Sequence, residues 1–231
     1  IGLSTALANA TAPTALSPDS FFLQCGVYPS VKTTTSGATM VRVTSPEDRA
    51  VLARCAGGQG YVESAAEFLV LCADLKRAGN YCKKYDKPFE GDYTEQFIIA
   101  TVDVALMAQN LVIAAESEGL GICYIGGLRN NPKEVSELLG LPRGVYPVFG
   151  LCLGYPDQDP EVKPRLPLSV ILKQDRYNEE GDADSIAVYD DAIREYYATR
   201  TGGGHVIIWT EQVATLLSDK SRPHMREFLP E

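Results

Sequence analysis

Histidine and paired cysteines are scarce in this sequence, and their scarcity excludes several kinds of site. The 231 residues include two histidines, His205 and His224, and six cysteines that form no C-x-x-C pair. The Cys/His spacing of protein zinc sites is therefore missing, and we expect no metal site. A G-x-S-x-G motif is also missing, which disfavours a Ser-His-Asp hydrolase.

Basic residues are also few relative to acidic ones. The chain has 21 Lys and Arg against 30 Asp and Glu, which gives a formal net charge of −9. Such a chain has no global attraction for phosphate backbones or anionic lipid, so nucleic-acid and membrane partners are not expected. Residues 175–195 contain eight of the acids and two arginines. An anionic ligand would have to be held by a few cations gathered in one place.

Long uninterrupted apolar runs and a basic leader are missing as well. The longest apolar run is broken by Asp103, Gln109 and Asn110, so it is not expected to span a membrane. The first 16 residues lack the basic region of a signal peptide. Cysteines such as Cys72 and Cys152 lie within apolar runs, where a free cysteine behaves as a small core residue. We predict free thiols and a reducing, cytoplasmic location.

What is present is the pattern of one α+β domain with a single sizeable core. Its most distinct element is a helix over 95–118, in which Gln96, Asp103, Asn110 and Ser117 recur as a narrow polar stripe. A helix that is apolar on its other sides is expected to be buried nearly all round. Segment 75–94 is charged and predicts a long mobile excursion. The remaining patterns predict strands at 40–44, 68–73, 122–125, 145–153 and 169–172, and helices at 46–54, 61–66, 131–140, 186–199 and 209–218.

Three places could carry chemistry, and each has a plainer alternative. The glycine-rich segment 57–60 matches no phosphate-binding motif and could be an ordinary turn. Gly126-Gly127 follows a predicted strand and offers backbone without side chains to a flat ligand, or forms a simple tight turn. Lys163 and Arg165 are held two residues apart by a proline and could present two cations to one anion. Alternatively, they belong to a solvated loop and pair with acids at Asp157, Asp159 or Glu161.

Together these places resemble one family. The matching motifs are Gly-Gly-Gln-x-Tyr-Val-Glu-Ser from 57, Tyr-Ile-Gly-Gly-Leu-Arg-Asn from 124, and Phe-Gly-Leu-Cys-Leu-Gly-Tyr-Pro from 149. Lys-Pro-Arg-Leu-Pro from 163, Tyr-Tyr-Ala-Thr-Arg-Thr from 196 and Ser-Arg-Pro-His from 221 follow in the same order. The chain resembles the FMN-dependent NADPH oxidoreductases of the nitroreductase superfamily, from about Val41 to Pro230.

The resemblance implies a nitroreductase-like fold: a central mixed sheet flanked by helices, with a long buried helix. It also implies an intertwined homodimer with FMN at the subunit interface and NADPH as the electron donor. Residues 1–231 would form one domain, whose helical extension over 184–231 wraps the partner subunit. The expected reaction is ping-pong hydride transfer to bound FMN and on to a small-molecule acceptor. Nitroaromatics, quinones and free flavin are the expected acceptors.

Site residues follow by motif match. No protein residue is assigned as a catalytic acid, base or nucleophile. The backbone at 124–127 would form a platform beside the flavin, and cations would hold its anionic parts. The resemblance assigns cofactor binding to Ser20, Gln59, Tyr61, Tyr124, Ile125, Gly126, Gly127, Lys163 and Arg165. Arg129, Arg200 and His205 are the candidates for the NADPH side.

The sequence departs from the family pattern in three places. The family's opening His-Arg-Ser-x-Arg motif, which binds the FMN phosphate, has no counterpart in this sequence: either the segment that carries it precedes residue 1, or FMN is held weakly. Of the serine-rich loop only Ser20 remains. Residues 26–38 are an insertion. His205 stands where the family has a second arginine for the NADPH phosphate, which would either weaken the preference for NADPH over NADH or make it depend on pH. The alternative function is a degenerate member that acts as a non-catalytic flavin-binding or structural dimer.

Overall fold

The computed structural model describes residues 37–200, 208–218 and 221–229. These residues form two compact units, one comprising 37–159 with 222–229 and the other comprising the described residues between 160 and 221. The single domain over 1–231 and its extension from 184 stay predictions. Ser20, His205 and most of the 26–38 insertion lie outside the described residues.

The first unit contains an antiparallel sheet of four strands. They are β1 (Ala38–Arg42), β2 (Glu67–Asp74), β3 (Gly121–Ile125) and β4 (Val145–Gly154), in the order β1-β2-β4-β3. All three neighbouring pairs are antiparallel, so the predicted mixed sheet is wrong for the described residues. The reason is that the connections from β1 to β2 and from β3 to β4 each return to the end of the sheet that they left, as shown by Arg42 facing Leu69. The connection from β2 to β3 crosses to the opposite end, but β4 lies between these two strands, so no parallel pair results.

Strand β2 is buried on both faces and separates two hydrophobic layers. Because side chains alternate along a strand, Phe68, Val70 and Cys72 face one layer, and Leu69 and Leu71 face the other. All five side chains are completely buried. The sheet therefore has helices on both faces, and its centre is the core of the unit.

Helix α4 (Thr94–Ser117) is the long buried helix of the prediction, but its burial is confined to one stripe. The stripe packed on the sheet comprises Ala100, Val104, Ala108, Leu111, Val112 and Ala115. The outward apolar side chains of Ile98, Val102, Leu106 and Ile113 are 48–57% exposed. Burial nearly all round is thus not observed, because no described element covers this outer face.

By length and composition, α4 is also the one helix in the described part of the chain that could cross a membrane, with a mean hydropathy of 1.9. Its polar stripe has a structural use, since the Asp103 carboxylate accepts a hydrogen bond from the Gly37 N–H at 2.8 Å. This bond fixes the chain where it enters β1. Together with the packed stripe, it gives α4 the contacts of a core helix.

Helices α1 (Pro46–Cys55), α2 (Tyr61–Ser64) and α5 (Pro132–Leu138) lie with the other hydrophobic layer. Helix α5 begins as predicted, with Asn131 Oδ1 accepting from the Glu134 N–H at 3.4 Å and Pro132 in the first turn. The strands and helices predicted at 40–44, 46–54, 61–66, 68–73 and 122–125 are confirmed to within a few residues. The same holds for those predicted at 131–140, 145–153, 186–199 and 209–218.

Arg49 is a buried cation that joins two loops of this layer. Its guanidinium donates to the Val43 carbonyl at 2.8 Å, to Ala65 at 2.5 Å and to Ala66 at 3.4 Å. Burial lowers the pKa of Arg49, while the Glu67 carboxylate opposes that shift. The bonds satisfy backbone carbonyls that would otherwise lie unpaired beneath the loops. They fix the segment that follows α2.

Two predicted segments have a different structure. Lys76–Lys84 forms helix α3 rather than a mobile excursion; Gly79 within it lies under the Phe89 ring, where an added Cβ would come within 3.1 Å. Helix α3 buries no residue, so its sequence lacks the apolar pattern by which a core-facing helix is recognised. Its single glycine is tolerated within a helix. Leu168–Ile171 forms helix α6 rather than a strand. Periodicity cannot separate helix from strand in so short an apolar run.

The second unit contains α6, α7 (Asp182–Thr199) and α8 (Trp209–Ser218). Asp190 of α7 is buried and accepts hydrogen bonds from the N–H and the hydroxyl of Thr210, at 3.1 and 2.5 Å. Burial raises the pKa of this carboxyl, but these bonds outweigh it and leave the pKa below its usual value. Asp190 therefore joins the first turn of α8 to α7. A short helix, α9 (Met225–Phe228), belongs to the first unit.

Candidate functional site

The structure brings together two of the glycine-containing places that the sequence singled out. Gly126 and Gly127 open a 3-10 turn, Gly126–Asn130, directly after β3. Gly127 is pressed on the end of α1, so that a Cβ there would lie 2.5 Å from the Ala56 carbonyl oxygen. Gly57, with φ +86°, faces the same turn at Asn130. The loop at 57–60 and the 3-10 turn therefore lie next to each other.

Gln59, in the loop at 57–60, has a buried side-chain oxygen without a hydrogen-bond partner. Its Oε1 is inaccessible to solvent, and no donor among the described residues lies within hydrogen-bonding distance. Leaving a buried acceptor unpaired costs about 1–3 kcal/mol, so such an atom indicates a missing donor. Ser136 Oγ in α5 is the other described atom in this condition. Only Gln59 belongs to the loops that meet.

The two predicted tyrosines lie on opposite faces of the sheet. Tyr61 packs in the layer of α1 and α2, where Cys152 Sγ lies 3.5 Å from its carbonyl oxygen. Tyr124 contacts Phe149 edge to face, with ring centroids 5.2 Å apart, on the side of α4. Burial raises the pKa of both phenols. The Tyr124 ring therefore lies on the face of the sheet opposite the Gln59 loop, and only the backbone of Tyr124 could line the same site as Gln59.

The Arg129 side chain joins the 3-10 turn to β4. Its guanidinium donates to the Val148 carbonyl of β4 and lies 3.4 Å from the position of a Cβ on Gly126. Burial lowers the pKa of Arg129, and the neighbouring Arg222 lowers it further. The sequence-based role of Arg129 toward NADPH thus competes with a structural one. The turn also contacts His224. This residue lies in the Ser-Arg-Pro-His motif, but the sequence assigned it no role.

In the second unit, predicted cations converge on one tyrosine. Lys163 Nζ donates to the Tyr197 hydroxyl at 2.9 Å and lies 5.1 Å from the centre of its ring. Arg200 lies over the same ring at 5.3 Å. Arg165 is exposed. The alternative in which Lys163 or Arg165 pairs with a nearby acid is not observed among the described residues.

Cysteine and metal chemistry find no support in the described part of the chain. Five free cysteines are present there, and four of them are buried. Burial raises the pKa of Cys55 to about 11 and that of Cys72 to about 12, and it also raises the pKa of Cys152. Thiols with such pKa values are poor nucleophiles at neutral pH. Among the described residues, no three His, Cys, Asp or Glu side chains are gathered as metal ligands.

Comparison with known proteins gives a consistent result. The profile of the nitroreductase family matches residues 27–155, and that of the nitroreductase family C-terminal domain matches residues 163–231. The NADPH-flavin oxidoreductase of Vibrio harveyi is 45% identical over 207 residues, covering 90% of this chain and 84% of the relative. The oxygen-insensitive NADPH nitroreductase of Salmonella typhimurium is 39% identical, covering 91% of this chain and 80% of the relative.

A solved structure extends the similarity to the fold. It is the NADPH:FMN oxidoreductase of Vibrio harveyi in complex with NAD+, with a TM-score of 0.83 and 40% identity. The match covers 96% of this chain and 92% of that chain. The family profiles and both relatives agree with the motifs quoted above. This chain therefore belongs to the nitroreductase family.

Proposed function

We propose that this chain is an NADPH-dependent flavin oxidoreductase that binds FMN. The observation that carries the proposal is the buried, unpaired oxygen of Gln59 in a loop that packs against a glycine-containing turn. Bound FMN would supply the redox chemistry, taking a hydride from NADPH and delivering electrons to nitroaromatics, quinones or free flavin. The names of the Vibrio harveyi and Salmonella typhimurium relatives support the same activity.

The residues around Gln59 fit a flavin ring. An oxidised isoalloxazine has one ring N–H, and the orphan oxygen of Gln59 requires a donor of this kind. Gly126 and Gly127 have no side chains of their own, so that a flat ring can approach their backbone closely. Ile125 is fully buried, so it would support the platform from beneath. Tyr61 would complete the contact from the adjacent turn.

Cations would bind the charged groups of the two nucleotides. We assign the anionic parts of FMN to Lys163 and Arg165, and the NADPH phosphate to Arg200 with His205. The Tyr197 ring holds Lys163 and Arg200 in place without neutralising either charge. No protein acid or nucleophile is required, because a hydride transfer between two bound cofactors depends on their orientation. The kinetics are then ping-pong.

We further propose a homodimer, with the outer face of α4 in the subunit interface. This face presents four large aliphatic side chains that are about half exposed in the single chain. Apolar surface of this kind is commonly covered by a partner. The intertwined arrangement, with residues 184–231 reaching around the partner, belongs to the same proposal.

The test is reduction of bound flavin. The purified protein is supplied with FMN, freed of excess flavin and titrated with NADPH without oxygen. The visible flavin absorbance should bleach with one NADPH per bound FMN and return when a quinone is added. Bound flavin that NADPH does not bleach would favour the non-catalytic alternative. A protein that retains no flavin overturns the proposal.

Replacement of Gln59 by leucine should separate flavin binding from stability. Leucine removes a buried unpaired oxygen, so the flavin-free protein should unfold at the same or a higher temperature. The flavin N–H would lose its acceptor, at a cost of about 1–3 kcal/mol, which corresponds to a roughly 5- to 150-fold higher Kd for FMN. Fluorescence titration and thermal unfolding measure the two effects.

The matched control for this variant is Gln174→Leu, because Gln174 is exposed in the second unit. It should leave both the Kd for FMN and the unfolding temperature unchanged. If Gln59→Leu binds FMN as tightly as the parent protein does, Gln59 does not contact the flavin. A lower unfolding temperature without FMN would mean that its amide has a partner within the chain.

A further inference from the structure

Two hydrogen bonds join the segment 222–224 to the 3-10 turn Gly126–Asn130. Arg222 Nε donates to Asn130 Oδ1 at 2.8 Å, and His224 Nε2 lies 2.8 Å from the Arg129 carbonyl oxygen. Since a carbonyl only accepts, the histidine ring donates through Nε2–H. These contacts join segments that are more than 90 residues apart in sequence.

The His224 bond satisfies a group that the turn leaves unpaired. The last carbonyls of any helix have no partner within the helix. The Leu128 carbonyl accepts from the Asn131 N–H at 3.3 Å, whereas the Arg129 carbonyl has its partner in His224. The other end of the turn is already fixed by the buried Leu128 and by the close packing of Gly127. His224 therefore restrains the end that the core does not hold.

Two arginines lie close together where residues 222–229 meet the turn. Arg129 and Arg222 are close enough that Arg222 helps to lower the pKa of Arg129. Neither forms an ion pair with an acid in the described part of the chain. Two neighbouring cations oppose the docking of residues 222–229. The hydrogen bond from His224 holds this segment on the turn against that repulsion.

We infer that His224 is a positioning residue for the flavin site. It holds the end of the 3-10 turn where Asn130 faces Gly57, so that the turn and the Gln59 loop keep the arrangement that receives the flavin ring. The inference rests on the proposed function, because it takes this turn as part of the FMN site. It adds a residue near the carboxyl end, which acts through the Arg129 carbonyl rather than by touching the flavin.

Two variants that differ only in reach test this inference. In His224→Gln the amide nitrogen can occupy the place of Nε2, whereas in His224→Asn the shorter side chain cannot reach the carbonyl. The Kd for FMN is measured by fluorescence quenching, with the visible spectrum of the bound flavin as a second readout. Asn should weaken FMN binding by about 5- to 10-fold and shift the flavin spectrum, and Gln should restore both. Arg226→Ala, an exposed neighbour without a role here, is the control.

Each outcome decides the question. Equal Kd values for the Asn and Gln variants overturn the inference, whether both match the parent protein or both are weakened. If the parent protein binds FMN and the Asn variant binds it equally well, His224 does not position the site, and the proposed function still stands. A parent protein that binds no FMN overturns the proposed function and, with it, this inference.

Discussion

Lys163→Ala combined with Arg165→Ala is expected to weaken FMN binding by about 100- to 10,000-fold. Each charge-assisted hydrogen bond to an anion contributes roughly 1.5–3 kcal/mol, and the variant removes two of them. The variant removes no ion pair among the residues described, although it removes the contact between Lys163 and Tyr197. Isothermal titration with FMN measures the effect, and circular dichroism verifies the fold.

The control for the double variant must change the net charge equally. Lys87→Ala with Arg176→Ala removes two exposed cations, and FMN affinity should stay within about twofold of the parent value. Loss of affinity in this control would mean that long-range charge, rather than specific contact, determines binding. Unchanged affinity in the Lys163 and Arg165 variant would show that other groups hold the anionic parts of FMN.

Gly127→Ala is expected to lower the stability of the first unit and to impair FMN binding together. The new Cβ would lie 2.5 Å from the Ala56 carbonyl oxygen and 3.0 Å from Ala56 Cα. Both are backbone atoms and cannot move aside independently, so overpacking should cost about 1–3 kcal/mol. The melting temperature should fall by roughly 2–12 °C. The displaced turn should raise the Kd for FMN at least tenfold.

Gly126→Ala is the matched control, because its new Cβ would meet only the end of the Arg129 side chain, at 3.4 Å. It should keep the parent melting temperature. Thermal unfolding of both variants without FMN separates the two glycines. Equal stability of the Gly127 variant would mean that the contact between the turn and Ala56 is looser than the structure indicates.

Local signals allowed most of the fold to be predicted from the sequence. The cap at Asn131 and Pro132 gave the start of α5, and the apolar run at 68–73 gave the buried strand β2. Both depend on neighbouring residues, which the sequence displays directly. Where the local signal was weak, the prediction was wrong: α3 carries no core-facing stripe, and α6 has only four residues.

Contacts between distant segments could not be predicted in the same way. That Gly127 rests on Ala56, or that His224 bonds to the Arg129 carbonyl, depends on how the elements pack. The strand directions are a further case, since alternating strands and helices fit parallel as well as antiparallel pairing. The resemblance to a family supplied Gln59 as a candidate. Only the structure showed that its oxygen is buried and unpaired.

The sheet order has a consequence for the way this chain reaches its fold. Strand β4, the last described strand in sequence, lies between β2 and β3. Until residues 145–154 have left the ribosome, β2 lacks its inner neighbour and β3 has no described strand to pair with. The core should therefore assemble late and in a single cooperative step. A fragment that stops before Val145 should not form the native sheet.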